Sequence, residues 1–158
     1  TLTDLERAVR FLYLQRLAFG GKVNGQHFGV DVGASAGFNL SRLEPLLADI
    51  YDRLSGVTIE RLDWIAFIDR YDRPDTLFYL DPPYWGSEGY YGRELFDRAQ
   101  FAIMAERLGY LKGRFILSIN DVPEIREIFA AFAMEHVELH YGAGGGARPA
   151  EELIVRSG

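Results

Sequence analysis

A chain of 158 residues with 48% hydrophobic and 25% charged side chains is long enough to bury a core, and its composition excludes a disordered or fibrous protein. No apolar run approaches the roughly 18 residues of a membrane helix, no stretch reads as a signal peptide, and the lack of cysteine excludes disulfide and thiolate-metal frameworks. The net charge of −6 argues against a non-specific nucleic-acid coat. The charge is uneven, however. Thr1–Leu43 holds five basic and three acidic residues, whereas Glu44–Gln100 holds six and twelve. Any polyanion contact therefore sits most easily on the first segment, although an ordinary solvated surface explains the same charges.

Thr3-Asp4-Leu5-Glu6 has the form of a capping box, in which hydroxyl and carboxylate satisfy orphan amides. Leu5, Ala8, Leu12 and Phe19 then mark one helical face ending near Gly20-Gly21. Residues 22–39 lose helical periodicity and read as loops or short hairpin pieces. Ser41-Arg42-Leu43-Glu44 predicts a second capping box and a helix stopped by Gly56. Val57-Thr58-Ile59 predicts a short strand, and Asp63 the cap of a short helix through Ile68. Thr76–Leu80 is a continuous apolar run of the kind buried on both faces.

Asp97 with Gln100 opens a further helix closed by Gly113, and Arg114–Ile119 is a second buried strand. Asp121 with Glu124 predicts a capped helix. Glu135–Tyr141 and Glu152–Val155, joined across Gly142–Gly146, predict an antiparallel hairpin. The alternation of strands and helices predicts an α/β fold whose sheet is mostly parallel, with that C-terminal hairpin antiparallel.

In open α/β sheets, ligands bind off the carboxyl ends of strands. Three such ends are Arg61–Trp64, Asp81–Trp85 and Ser118–Asp121. The middle one concentrates chemistry. Asp81 offers a carboxylate, and Pro82 and Pro83 lack amide hydrogens, so nearby carbonyls remain to accept from a ligand. A carboxylate beside a carbonyl suits an amine with two hydrogens. Tyr84 offers a flat face for a ring. Together they form a receptor for an aromatic ring bearing an exocyclic amine; a rigid strand-to-loop turn is the plainer alternative.

Asp81-Pro82-Pro83-Tyr84 resembles the catalytic motif of amino-methyltransferases that use S-adenosylmethionine. Glu6–Arg16 resembles the helix preceding the target-recognition region of Dam-type DNA adenine N6-methyltransferases, and Val23–Val30 the start of that region. Gly113–Asp121 and Glu151–Ile154 fit the later strands of the same family.

The resemblance implies a partial Rossmann-like class I methyltransferase sheet. Residues 1–56 would form a helical and loop target-recognition region, and residues 57–158 the catalytic α/β portion. It implies methyl transfer from S-adenosylmethionine to the N6 amine of an adenine flipped from double-stranded DNA. Asp81, Pro82, Pro83 and Tyr84 would be catalytic, with no metal and no membrane involved. Asp63 and Trp64, with Asp81, resemble the positions lining the cofactor; a helix N-cap and a core Trp account for the first two equally well. Lys22, Asn24, Gln26 and Arg42 are the candidate DNA contacts, Lys for phosphate and Asn and Gln for adenine edges. Each is also an ordinary surface residue. Asn120 and Asp121 read as caps of the next helix. Trp85, Tyr90 and Tyr91 read as either a flap or packing.

Two departures stand out. The family's glycine-rich cofactor motif has no counterpart in this sequence. The expectation is a C-terminal portion of a larger enzyme, weak or inactive alone, with a further N-terminal segment as partner. Gly33–Gly37 is also small and neutral where the family tends to place aromatic and basic residues. The alternatives are a methyltransferase acting on RNA base amines and a truncated, non-catalytic DNA-binding remnant. The absence of cysteine fits a cytoplasmic location.

Overall fold

The computed structural model describes residues 1–18, 38–88, 96–141 and 148–158. They fall into two compact units, one within Thr1–Glu60 and the other from Arg61 onward.

The first unit holds α1 (Asp4–Leu17) and α2 (Leu40–Leu54). The first capping box forms as expected: Thr3 Oγ1 accepts from the Glu6 amide, and Glu6 Oε2 accepts from the Thr3 amide at 2.8 Å. The Thr3 amide bond first, and second the Thr3 hydroxyl, which also donates to Glu6 Oε2 at 2.8 Å, lower the Glu6 pKa. The second helix starts earlier than expected. Asn39 is its N-cap, and Asn39 Oδ1 accepts from the Ser41 amide at 3.0 Å and the Ser41 hydroxyl at 2.6 Å. The side chain expected to cap is thus consumed by a better-placed asparagine. Tyr13 and Phe38 meet edge to face at 5.1 Å.

The second unit is a mixed α/β layer. Its elements are α3 (Trp64–Tyr71), β1 (Leu77–Leu80), α4 (Ala99–Leu108), β2 (Arg114–Asn120), α5 (Pro123–Ile128), β3 (Ala133–Tyr141) and β4 (Arg148–Arg156). The strand order is β1-β2-β4-β3. Among the described strands, only β1 and β2 run parallel; β2–β4 and β4–β3 are antiparallel. The hairpin forms as expected, but the sheet is mostly antiparallel rather than mostly parallel. Two causes account for this. The last strand inserts between β2 and β3, so the hairpin contributes two antiparallel interfaces instead of one. Val57–Ile59 forms no strand, because β-branched residues need a neighbouring ladder.

One face of the sheet makes the core. Phe78, Phe115, Leu117, Ile119, Leu153 and Val155 bury there with Ile68 of α3, Phe101, Met104 and Leu108 of α4, and Ile125 of α5. The opposite face is more open: Leu77 and Tyr79 of β1 are 54% and 66% exposed. The expectation of a strand buried on both faces therefore fails for β1.

Helix boundaries follow local chemistry. Asp63 caps α3 as expected, its Oδ1 accepting from the amides of Ile65 and Ala66. Asp97 Oδ1 accepts from the Ala99 and Gln100 amides at the start of α4. That helix closes at Gly109 rather than Gly113. Gly113 instead lies where β2 leaves its turn, so close to the carbonyls of Thr76 and Arg73 that an added Cβ would stand 2.6 Å and 2.8 Å away. Asp72 accepts from the Lys112 and Gly113 amides in the same turn.

Candidate active site

Because β1 and β2 are parallel, their carboxyl ends emerge at one edge of the sheet. Asp81-Pro82-Pro83-Tyr84 follows β1 directly, and Asn120-Asp121 ends β2. Asp81 is exposed, and its side chain makes no hydrogen bond to another described residue. Pro82 is buried, while Pro83 and Tyr84 are half-buried.

The loop then turns sharply. The Ser87 amide donates to the Tyr84 carbonyl at 2.8 Å. Gly86 takes a φ of +89° at the third position of this turn, where a type II turn requires glycine.

Two strand residues grip the loop from below. The Tyr84 hydroxyl donates to Glu152 Oε1 at 2.5 Å, within the range of hydroxyl-to-carboxylate bonds. The Trp85 amide donates to Asn120 Oδ1 at 2.8 Å, and Asn120 Nδ2 donates back to the Trp85 carbonyl at 3.1 Å. The single amide side chain thereby imitates a strand neighbour.

The outer side of the loop is tied to α4. Trp85 packs on Phe101 with ring centroids 5.3 Å apart, and the Arg98 guanidinium sits 4.9 Å above the Trp85 ring. Arg98 also donates to Glu88, which accepts from the Gly86 amide. These amide bonds, the Gly86 bond foremost, lower the Glu88 pKa against the opposing effect of burial. Trp85 is thus packed. Tyr90 and Tyr91 lie outside the described residues.

Asp63 and Trp64 sit at the start of α3. Trp64 is half-buried, and its indole N–H donates to Gln100 Oε1 at 3.0 Å. Gln100 precedes Phe101, so Trp64 is linked to the Asp81 loop through α4. No hydrogen bond or ring contact among the described residues joins Asp63 or Trp64 to Asp81.

Lys22, Asn24 and Gln26 lie outside the described residues. Arg42 is exposed in the first turn of α2.

The expected capping roles of Asn120 and Asp121 do not form. Val122 is the N-cap of α5, with no side-chain bond. Asn120 is occupied by the Trp85 backbone. Asp121 binds the Arg126 guanidinium through both oxygens, at 2.6 Å and 2.5 Å, and His136 Nδ1 at 2.7 Å. The Arg126 bond, with help from His136 and against burial, lowers the Asp121 pKa.

Sequence reasoning missed Glu152 altogether. An acid two residues into a Glu-Glu-Leu-Ile run reads as a solvated strand end. It is only 4% exposed, and glutamate is rarely buried unless paired. A signal was available: Glu152 occupies the same face as Ile154, an apolar position in period-two register.

Among the described residues, no group of three or more His, Asp or Glu side chains could hold a metal ion, and no helix is long and apolar enough to cross a membrane.

The features in hand define a mixed α/β domain whose strand end presents a carboxylate, two prolines and an anchored tyrosine. The model of the D12 class N6 adenine-specific DNA methyltransferase family matches residues 1–142. The chain belongs to that family, which makes it a DNA adenine methyltransferase. No curated protein matches the chain.

Proposed function

We propose that this chain carries the catalytic motif for methyl transfer from S-adenosylmethionine to the N6 amine of an adenine flipped out of double-stranded DNA. The observation that carries the reading is the exposed Asp81 carboxylate beside the anchored ring of Tyr84 at the carboxyl end of β1. The sheet is then part of a class I methyltransferase sheet. Residues 1–56 serve target recognition and residues 57–158 catalysis. Lys22, Asn24, Gln26 and Arg42 contact the DNA. The protein acts in the cytoplasm.

The target ring stacks on Tyr84, a contact worth about 1–3 kcal/mol per base. Asp81 and the Pro82 carbonyl accept the two N6 hydrogens. This turns the nitrogen lone pair out of the ring plane and aims it. The Asp81 carboxylate also stabilises the positive charge that develops on the nitrogen as the new bond forms, and one N6 proton then leaves to solvent to give the neutral methylamine. Pro83 fixes the backbone between acid and ring. Catalysis consists of positioning and electrostatics, without a covalent nucleophile.

S-adenosylmethionine, when bound, supplies an electrophilic methyl whose sulfonium leaves as a neutral thioether. Within this chain, the partly exposed indole of Trp64, its N–H fixed by Gln100, would offer a flat wall for the cofactor's purine. Asp63 stands beside it.

The test is to incubate the full-length protein with labelled S-adenosylmethionine and duplex DNA and digest the product to nucleosides. Label in N6-methyladenine supports the reading. Label confined to cytosine, or found only when RNA replaces DNA, rejects it.

A further inference from the structure

We propose that Glu152 is a positioning residue for the base platform: from β4 it sets the plane of the Tyr84 ring, with Asn120 fixing the adjoining backbone. This rests on the reading of Tyr84 as the surface on which the target adenine stacks.

A tyrosine ring attached only at its Cβ can rotate about two bonds. A hydrogen bond at the far end of the ring removes most of that freedom. Here the acceptor is a buried carboxylate oxygen 2.5 Å from the hydroxyl. The carboxylate is itself held by a strand that is paired on both sides, to Asn120 of β2 and to Val137 of β3. Cross-strand neighbours point to the same face, so Asn120 and Glu152 rise side by side. They take consecutive loop residues, Asn120 the Trp85 backbone and Glu152 the Tyr84 ring. The platform is thereby referenced to the middle of the sheet rather than to its own loop, as a preorganised site requires.

The bond pairs a buried carboxylate and at the same time fixes the ring. Tyr84 remains partly exposed with the bond in place. A rigid ring would matter chiefly to whatever stacks upon it. Misplacing reacting groups by about 1 Å costs on the order of 100-fold in rate.

The experiment measures steady-state kcat and KM for duplex DNA in the full-length wild type and in Tyr84→Phe, Glu152→Ala, Glu152→Gln and Tyr84→Phe/Glu152→Ala. Circular dichroism monitors folding. Tyr84→Phe and Glu152→Ala remove the same bond from opposite ends. Each should lower kcat by a similar factor, roughly 10- to 100-fold, with a smaller change in KM. The double variant should lose less than the product of the two single losses, because both substitutions break this same bond. Glu152→Gln keeps an acceptor oxygen and should recover most of the rate. Multiplying losses in the double variant, or wild-type kcat in Tyr84→Phe, would overturn the proposal. Should Glu152→Ala fail to fold, Tyr84→Phe and Glu152→Gln decide alone. A wild type that transfers no methyl to adenine would overturn the functional reading, and this one with it. An active wild type with an unaffected Glu152→Ala would overturn only the role of Glu152.

Discussion

Asn120 and Glu152 stand opposite each other across the β2–β4 ladder, and both spend their side chains on the loop that follows β1. The Asp81–Tyr84 segment is four residues long, yet its placement depends on two strands that come later in sequence. A parallel β1–β2 pair brings the loop alongside Asn120, and the antiparallel return of β4 brings Glu152 within reach of Tyr84. The mixed sheet is therefore what lets one edge hold the motif from beneath.

The turn before β2 has no room for a side chain. A Cβ on Gly113 would meet two backbone carbonyls at under 3 Å, and backbone cannot swing aside as a flexible side chain can. Gly113→Ala should destabilise the fold by about 1–3 kcal/mol, read as a lower urea midpoint. An unchanged midpoint would contradict the close approach.

Asp121 makes stability depend on acid pH. Its folded pKa is depressed below the usual 3.8, chiefly by the Arg126 bond and then by His136. A depressed carboxyl binds fewer protons in the folded state than in the unfolded state, so it stabilises the fold above the unfolded pKa. That contribution is lost as pH falls from about 3.8 through the lower folded value. Asp121→Asn should thus be less stable at neutral pH and lose less on acidification. Parallel stability curves for the two proteins between pH 5 and pH 2 (roughly the span over which such a carboxylate titrates) would show that the Asp121 cluster adds nothing.

Phe101 joins the core to the site loop. It is fully buried and touches Phe96 at 4.9 Å and Trp85 at 5.3 Å between centroids. Phe101→Ala should cost about 3–5 kcal/mol and shift Trp85 emission as the indole loses its partner. A loss confined to a few tenths of a kcal/mol, with unchanged emission, would place Phe101 outside the core.

Much of the secondary structure was legible because it is dictated locally. Thr3–Glu6 and Asp63 announce helix starts with their own side chains, and both caps form. The hairpin was legible because two strands flank a glycine run. What was not legible depends on partners distant in sequence. Asn120 and Asp121 look like caps by position, but a loop 35 residues away takes the first, and Arg126 and His136 take the second. The sheet was expected to be mostly parallel because strand insertion is a tertiary choice that hydrophobic pattern does not encode. For the same reason the motif residues Asp81–Tyr84 were evident at once, whereas Glu152, which reaches Tyr84 across 68 positions, was not.

The most direct test of the central claim is single-turnover methyl transfer to duplex DNA by the wild type and by Asp81→Ala. Asp81 is exposed and makes no described side-chain bond, so its removal should leave folding intact. The account predicts N6-methyladenine from the wild type and a loss of on the order of 100-fold or more in the variant, the scale of one electrostatic stabiliser at a reacting centre. Transfer to adenine at the wild-type rate by a folded Asp81→Ala would contradict it.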